Sequence, residues 1–133
     1  SVDGILGDGP GFRHAMIAPH PVPEQITFAE LDYDSPVGRY HSGWRMTDAG
    51  IAYDIVVPPN ATATFRLPLP ADQDATISES GKTLWQNEKP IGKAESIAPP
   101  VRENDRIVFN LGSGSYSFLV KNPNKAGAAT SKL

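Results

Sequence analysis

A two-residue hydrophobic period, repeatedly cut by proline and glycine, constrains this chain more than any other feature. Ala61, Ala63, Phe65 and Leu67 fall on one side of an extended chain, with Thr62, Thr64 and Arg66 on the other. Successive side chains of a strand point to opposite faces, so this spacing predicts a strand with one buried face. Ile51, Tyr53, Ile55 and Val57 repeat the pattern just upstream, alternating with Ala52, Asp54 and Val56. Pro58-Pro59-Asn60 separates the two runs. Proline has no N–H to give to a ladder, so the first strand must stop there. No window sustains the i, i+3, i+4, i+7 apolar spacing of an amphipathic helix.

The period returns along the rest of the chain. Tyr40, Ser42, Trp44 and Met46 share a face, and Asp48-Ala49-Gly50 then turns the chain. Ile107, Phe109 and Leu111 form another inward set, as do Tyr116, Phe118 and Val120, and Gly112-Ser113-Gly114 between them reads as a hairpin turn. Glu79-Ser80-Gly81-Lys82 predicts a short hairpin joining residues 75–78 to 83–86. His14 to Ala18 suits an opening strand, and Ile26 to Asp34 is rich in β-formers but alternates less cleanly. The expected fold is all-β: a two-sheet antiparallel β-sandwich of about eight to ten short strands. The flanks differ from this body. Gly4 to Gly11 reads as an irregular linker, with the sandwich over 13–121 and a small, polar, unpatterned tail over 122–133 that is expected to be disordered.

Composition narrows function by exclusion. Twelve glycines and thirteen prolines among 133 residues supply the turns. A single domain suits the length, since domains most often hold about 100–150 residues. The chain has no cysteine, which removes disulfides, thiolate-bound zinc, iron–sulfur clusters and thiol catalysis together. Its net charge is −3, and its 12 basic residues are scattered singly rather than gathered on a stripe. Nucleic-acid binding needs a clustered positive face and is not expected. Nor is a membrane role: the longest strictly aliphatic stretch is Ile55-Val56-Val57, far short of the ~20 residues that span a bilayer. The first ten residues lack the basic start and apolar run of a signal peptide. The compartment stays open among cytoplasm, periplasm and exterior.

Glu30, Asp32 and Asp34 lie at i, i+2 and i+4, so a strand puts all three on one face. A glycosidase instead needs two carboxylates flanking a cleft, about 5 Å or about 6.5–9.5 Å apart. Three same-face acids on one strand read as a solvated surface. His14, His20 and His41 lack the spacing of a metal site, and no metal or cofactor is expected. No G-x-S-x-G elbow exists, and neither glycine cluster precedes a helix that could cradle a phosphate. Trp85, flanked by Gln86, Asn87, Glu88 and Lys89, sits in the most polar part of the chain. It is the candidate for an exposed ring that stacks on a sugar; otherwise it caps the sandwich. Asn60-Ala61-Thr62 matches a glycosylation sequon and Ser131-Lys132-Leu133 a peroxisomal address, but both act only in a eukaryotic cell.

Four ordered stretches carry a family resemblance. They are Gly9-Pro10-Gly11-Phe12-Arg13-His14 running to Ile17-Ala18-Pro19-His20-Pro21, then Tyr33-Asp34-Ser35-Pro36-Val37-Gly38-Arg39 with Trp44 soon after. Val57-Pro58-Pro59-Asn60-Ala61-Thr62-Ala63-Thr64 and Gly112-Ser113-Gly114-Ser115-Tyr116-Ser117-Phe118 complete the set. In this order, from about Val2 to Val120, the chain resembles the C-terminal β-sandwich domain of bacterial α-L-rhamnosidases, glycoside hydrolase family 78. The resemblance implies a part of a larger enzyme whose (α/α)6 barrel carries the acidic catalytic residues and hydrolyses terminal α-L-rhamnose with inversion. Residues 1–12 would then be the linker from that catalytic domain, with Gly4-Ile5 matching the step out of its last helix. No catalytic residue is carried over. Ala18 stands where the family suggests a basic residue, and Thr83–Lys93 has no counterpart in the pattern, so the resemblance lends Trp85 no ligand role.

Two readings follow. The first is an accessory domain, inactive alone, that packs on its own catalytic barrel through the N-terminal stretch Ile5, Phe12, His14 and Met16. The second is an autonomous carbohydrate-binding module that takes a rhamnose-containing glycan on Trp85 and neighbouring Tyr or Asn residues. A sandwich that binds partners unrelated to sugars is a weaker third.

Overall fold

The computed structural model describes residues 5–8, 13–21 and 28–121, the first four by their backbone alone. Within them the chain forms twelve strands and no helix. In order these are β1 (Ile5–Asp8), β2 (His14–Ile17), β3 (Phe28–Ser35), β4 (Gly38–Met46), β5 (Gly50–Val57) and β6 (Thr62–Pro68). β7 (Thr76–Glu79), β8 (Lys82–Gln86), β9 (Lys89–Pro90), β10 (Val101–Glu103), β11 (Arg106–Leu111) and β12 (Gly114–Lys121) complete the set. One sheet has the order β1-β2-β6-β11-β10 and the other β3-β4-β5-β12-β7-β8-β9. The all-β sandwich is as expected, with more strands than the eight to ten anticipated. Pairing is antiparallel except between β2 and β6, which run parallel. The segment expected as an irregular linker holds a strand, because β1 pairs with β2 from Ile5↔Ile17 to Asp8↔His14. The expected tail over 122–133 lies outside the described residues.

The alternating runs bury the faces that their spacing implies. Ala61, Ala63, Phe65 and Leu67 are all buried, as are Tyr53, Ile55 and Val57 opposite them. Phe65 of β6 meets Tyr53 of β5 edge-on at 5.5 Å between ring centres, and Phe118 of β12 at 5.0 Å. Phe109 of β11 completes the cluster, 4.8 Å from Phe118. The four rings join the two sheets at the centre. Burying a large apolar side chain contributes about 1.5–3 kcal/mol, and aromatic pairs about 0.5–1.5 kcal/mol beyond that.

Gly112-Ser113-Gly114 does not make the expected hairpin. β11 pairs with β6 and β10 in the first sheet, whereas β12 pairs with β5 and β7 in the second. These residues therefore carry the chain across the sandwich. Turn composition shows where a strand ends but not which sheet receives the next one. Hairpins do form where two consecutive central residues have positive φ, the twist-compatible geometry. Ser80 and Gly81 (φ 49° and 84°) join β7 to β8, and Asn87 and Glu88 (57° and 59°) join β8 to β9.

The ring contacts also fix how the sheets overlie. β6 faces β5 and β12, β11 faces β12, and the Tyr40 hydroxyl of β4 donates to the Thr62 carbonyl at the start of β6. Both strand orders thus run the same way across the sandwich. β10 lies on the flank of β8 and β9, and β1 on the flank of β3.

Candidate functional site

The expectation that Trp85 is exposed is corrected by its register. It pairs across β7 with Ile77, which is fully buried, so both side chains face the core, and Trp85 is 3% exposed. A bulge between Ile77 and Ser78 lets neighbouring Leu84 be buried as well. The polar run after Trp85 is the turn at Asn87-Glu88 and does not mark an exposed ring. The indole Nε1 makes no hydrogen bond of good geometry, and it supplies only the weakest of the influences acting on Glu88. A ring packed this way has no open face for a sugar.

The N-terminal candidates fall together in part. His14 projects from β2, where Nδ1 lies 2.6 Å from the Thr62 hydroxyl and Nε2 lies 2.8 Å from that of Thr64. Thr64 in turn donates to Asn110 Oδ1 at 3.0 Å. Thr62, Thr64 and Asn110 alternate with buried residues, which puts this polar ladder on the outer face of the first sheet. Met16 pairs with Thr64 on the same face and is half-buried. Ile5 lies in β1, paired with Ile17, and Phe12 lies outside the described residues.

The three acids of β3 are exposed, as their spacing suggests, and two have hydrogen-bonding partners on β4. Asp32 Oδ1 is 2.7 Å from His41 Nδ1, and Asp34 is held by Arg39 at 2.7 Å. The Arg39 hydrogen bond and charge hold the Asp34 carboxyl below its ordinary range. Two shallow hollows occur. One of about 190 Å³ is lined by Leu84, Gly92, Lys93, Ile97, Pro99 and Pro100, and the other, of about 440 Å³, by Gly38, Arg39, Pro58, Pro59, Ser113 and Gly114 among others. No carboxylate or aromatic side chain lines either one, so neither offers a glycosidase pair or a stacking ring. Among the described residues no group of three or more His, Asp or Glu is placed to hold a metal ion.

Two features that sequence reasoning missed lie at the flanks. Arg102 of β10 donates Nε and Nη2 to the two carboxylate oxygens of Glu88, each at 2.7 Å. Its Nη1 donates to the carbonyls of Leu69 and Asn104 at 2.6 and 2.9 Å. The hydrogen bonds from Arg102 hold the Glu88 carboxyl below its ordinary range. This fork ties the edge of one sheet to the last hairpin of the other. At the opposite flank, Ala29, Leu31 and Tyr33 pair across β4 with Trp44, Ser42 and Tyr40. Directly opposed residues share a face, so these three lie on the core-facing side. Leu31 is nonetheless 36% exposed and Tyr33 43%. The imperfect alternation of Ile26–Asp34 was the available signal, because it marks a strand that is not fully buried on either face.

Comparison with known proteins accords with this architecture. Residues 4–82, more than half of the chain, match the bacterial α-L-rhamnosidase C-terminal domain family. The match ends at Lys82, next to the Thr83–Lys93 segment that found no counterpart in the family's pattern. An α-L-rhamnosidase of Formosa agariphila is 26% identical over 120 residues, which are 90% of this chain and 12% of that protein. The structure of an α-L-rhamnosidase from Dictyoglumus thermophilum shares the fold with a TM-score of 0.72 at 21% identity, covering 91% of this chain and 12% of that one. A Streptomyces avermitilis α-L-rhamnosidase, solved with L-rhamnose, gives a TM-score of 0.63 at 26% identity over 90% of this chain and 10% of that one. In each relative the matching stretch is a small part of a much longer chain. This chain belongs to the family of bacterial α-L-rhamnosidase C-terminal domains.

Proposed function

We propose that the chain is a non-catalytic accessory β-sandwich of an α-L-rhamnosidase-like glycoside hydrolase. It packs on and stabilises an (α/α)6 barrel that hydrolyses terminal α-L-rhamnose with inversion, and residues 1–12 lead from that barrel. The observation that carries this reading is the family match over more than half of the chain, set beside coverage of only 10–12% of the rhamnosidases compared. The partner is the chain's own catalytic domain, and Ile5, Phe12, His14 and Met16 lie nearest the junction. Domain interfaces within a chain resemble transient protein interfaces and bury roughly 600–1,500 Å², enough for a sandwich of this size to cover one side of a barrel.

The test assays this chain and its full-length parent on an aryl α-L-rhamnoside. Turnover by the parent alone is expected; turnover by the chain alone would sink the reading. The residues encoded upstream of Ser1 give a second check, since an all-α stretch of several hundred is expected there. Calorimetry with rhamnose tests the carbohydrate-module alternative, which requires binding by the chain on its own.

A further inference from the structure

We propose that the groove at the end of β5, between Arg39 on β4 and Ser113 and Ser115 around the start of β12, binds a short neutral saccharide. The site goes beyond the accessory-domain reading and uses neither the core-facing Trp85 nor the N-terminal stretch.

The groove has an apolar floor and polar walls. Val56 of β5 pairs with His41 of β4 on one side and with Ser115 of β12 on the other. Directly opposed residues share a face, and His41 is in turn opposite the exposed Asp32, so this is the outer face of the second sheet. Val56, Pro58 and Pro59 supply the floor of a hollow of about 440 Å³, inside the range of about 300–1,000 Å³ that small-molecule sites occupy. Both neighbouring strands open on glycine, Gly38 and Gly114, which keeps the hollow clear. At Gly38, where φ is +137°, a Cβ would stand 2.7 Å from that of Pro58.

The chemistry of the walls selects the ligand. Asp34 accepts from Arg39 Nε and Nη2 at 2.7 and 3.4 Å. The guanidinium charge is thereby balanced, while its remaining N–H groups can still donate. A wall of that kind favours neutral oxygen acceptors over a phosphate or a carboxylate. The Ser113 and Ser115 hydroxyls both donate and accept, which matches a ligand whose own groups do both. β4, β5 and β12 are interior strands of their sheet, so no strand edge is open for an extended peptide to join. A sugar ring meets all of these terms, with its C–H face on the valine and prolines and its hydroxyls against the walls. An open groove buries only part of such a ligand, so the affinity expected is millimolar.

Amide-resonance titration of this chain tests the proposal, with L-rhamnose, a neutral rhamnosyl-glucose disaccharide, and glucuronate as the charged control. Saturable shifts are expected at residues 38–39, 56–57 and 113–115 with a neutral saccharide, and no tighter binding of glucuronate. Arg39→Met, which keeps the aliphatic stem and removes the donors, should weaken binding severalfold, as should Ser115→Ala, with native circular dichroism in both. No saturable shift with either neutral saccharide would overturn the proposal. So would shifts confined to other residues, or binding of glucuronate alone. The accessory-domain reading stands or falls separately, on turnover by the parent.

Discussion

At one flank the sheets end in β9 and β10, strands of two and three residues, and Arg102 grips Glu88 across the gap between them. At the other the larger sheet ends in β3, eight residues long, whose core-facing Leu31 and Tyr33 are 36% and 43% exposed. A short edge offers little backbone for stray pairing, and a bidentate ion pair fixes its geometry; a long edge is guarded instead by exposed charges, here Glu30, Asp32 and Asp34. The difference separates groups that the fold packs or clasps from groups that it leaves more exposed. The aromatic centre and the clasp belong to the first class, and the β3 flank to the second.

The comparison breaks if residues of the two classes respond alike to substitution. The largest effect is expected at the centre that both flanks share. Phe65→Ala removes a fully buried ring that touches Tyr53, Phe109 and Phe118 and should cost about 3–5 kcal/mol in denaturant unfolding. Gly50→Ala comes next. Its φ of +151° is strained for any side chain, and a Cβ would sit 1.8 Å from the Val120 carbonyl oxygen. The backbone strain alone is worth about 1–3 kcal/mol, with the pairing of β5 and β12 displaced in addition. Arg102→Ala should cost about 1–2 kcal/mol, since charged hydrogen bonds are worth roughly 1.5–3 kcal/mol and Glu88 is partly solvated.

The clasp should also titrate. Arg102 depresses the Glu88 carboxyl in the folded state, so the unfolded chain takes up this proton at the higher pH. The contribution of Glu88 is then complete above its ordinary value of 4.5 and disappears as pH falls from there through the depressed folded value. Unfolding midpoints at neutral and acidic pH should differ less in Glu88→Gln than in the unsubstituted chain. Asp34 is depressed in the same direction by Arg39 but is exposed on β3. Asp34→Asn should change the midpoint least among the ion-pair substitutions, and added salt should erase what change there is.

Much of the centre was legible because its signal is local. Ala61 to Leu67 needs no partner to reveal which face is buried; period two and the prolines before it suffice. What needed the third dimension was misjudged for physical reasons. Gly112-Ser113-Gly114 looks like a hairpin because turn chemistry is the same whether the chain folds back or crosses to the other sheet. Trp85 looked exposed because its polar neighbours are a tight turn, and only the pairing with Ile77 turns its ring inward. The Arg102–Glu88 fork joins residues from different sheets, so nothing local announces it. For Leu31 and Tyr33 the residue types gave the strand but not how far each is exposed.

One measurement tests the division most directly: equilibrium unfolding of the isolated chain with Leu31→Ser and Tyr33→Ser together. Partly exposed groups at a sheet edge should matter little to the isolated fold, so a change within about 0.5 kcal/mol per substitution is expected, as for ordinary surface sites. A loss approaching that of Phe65→Ala would show that both side chains belong to the domain's own core, and the contrast between the two flanks would fall.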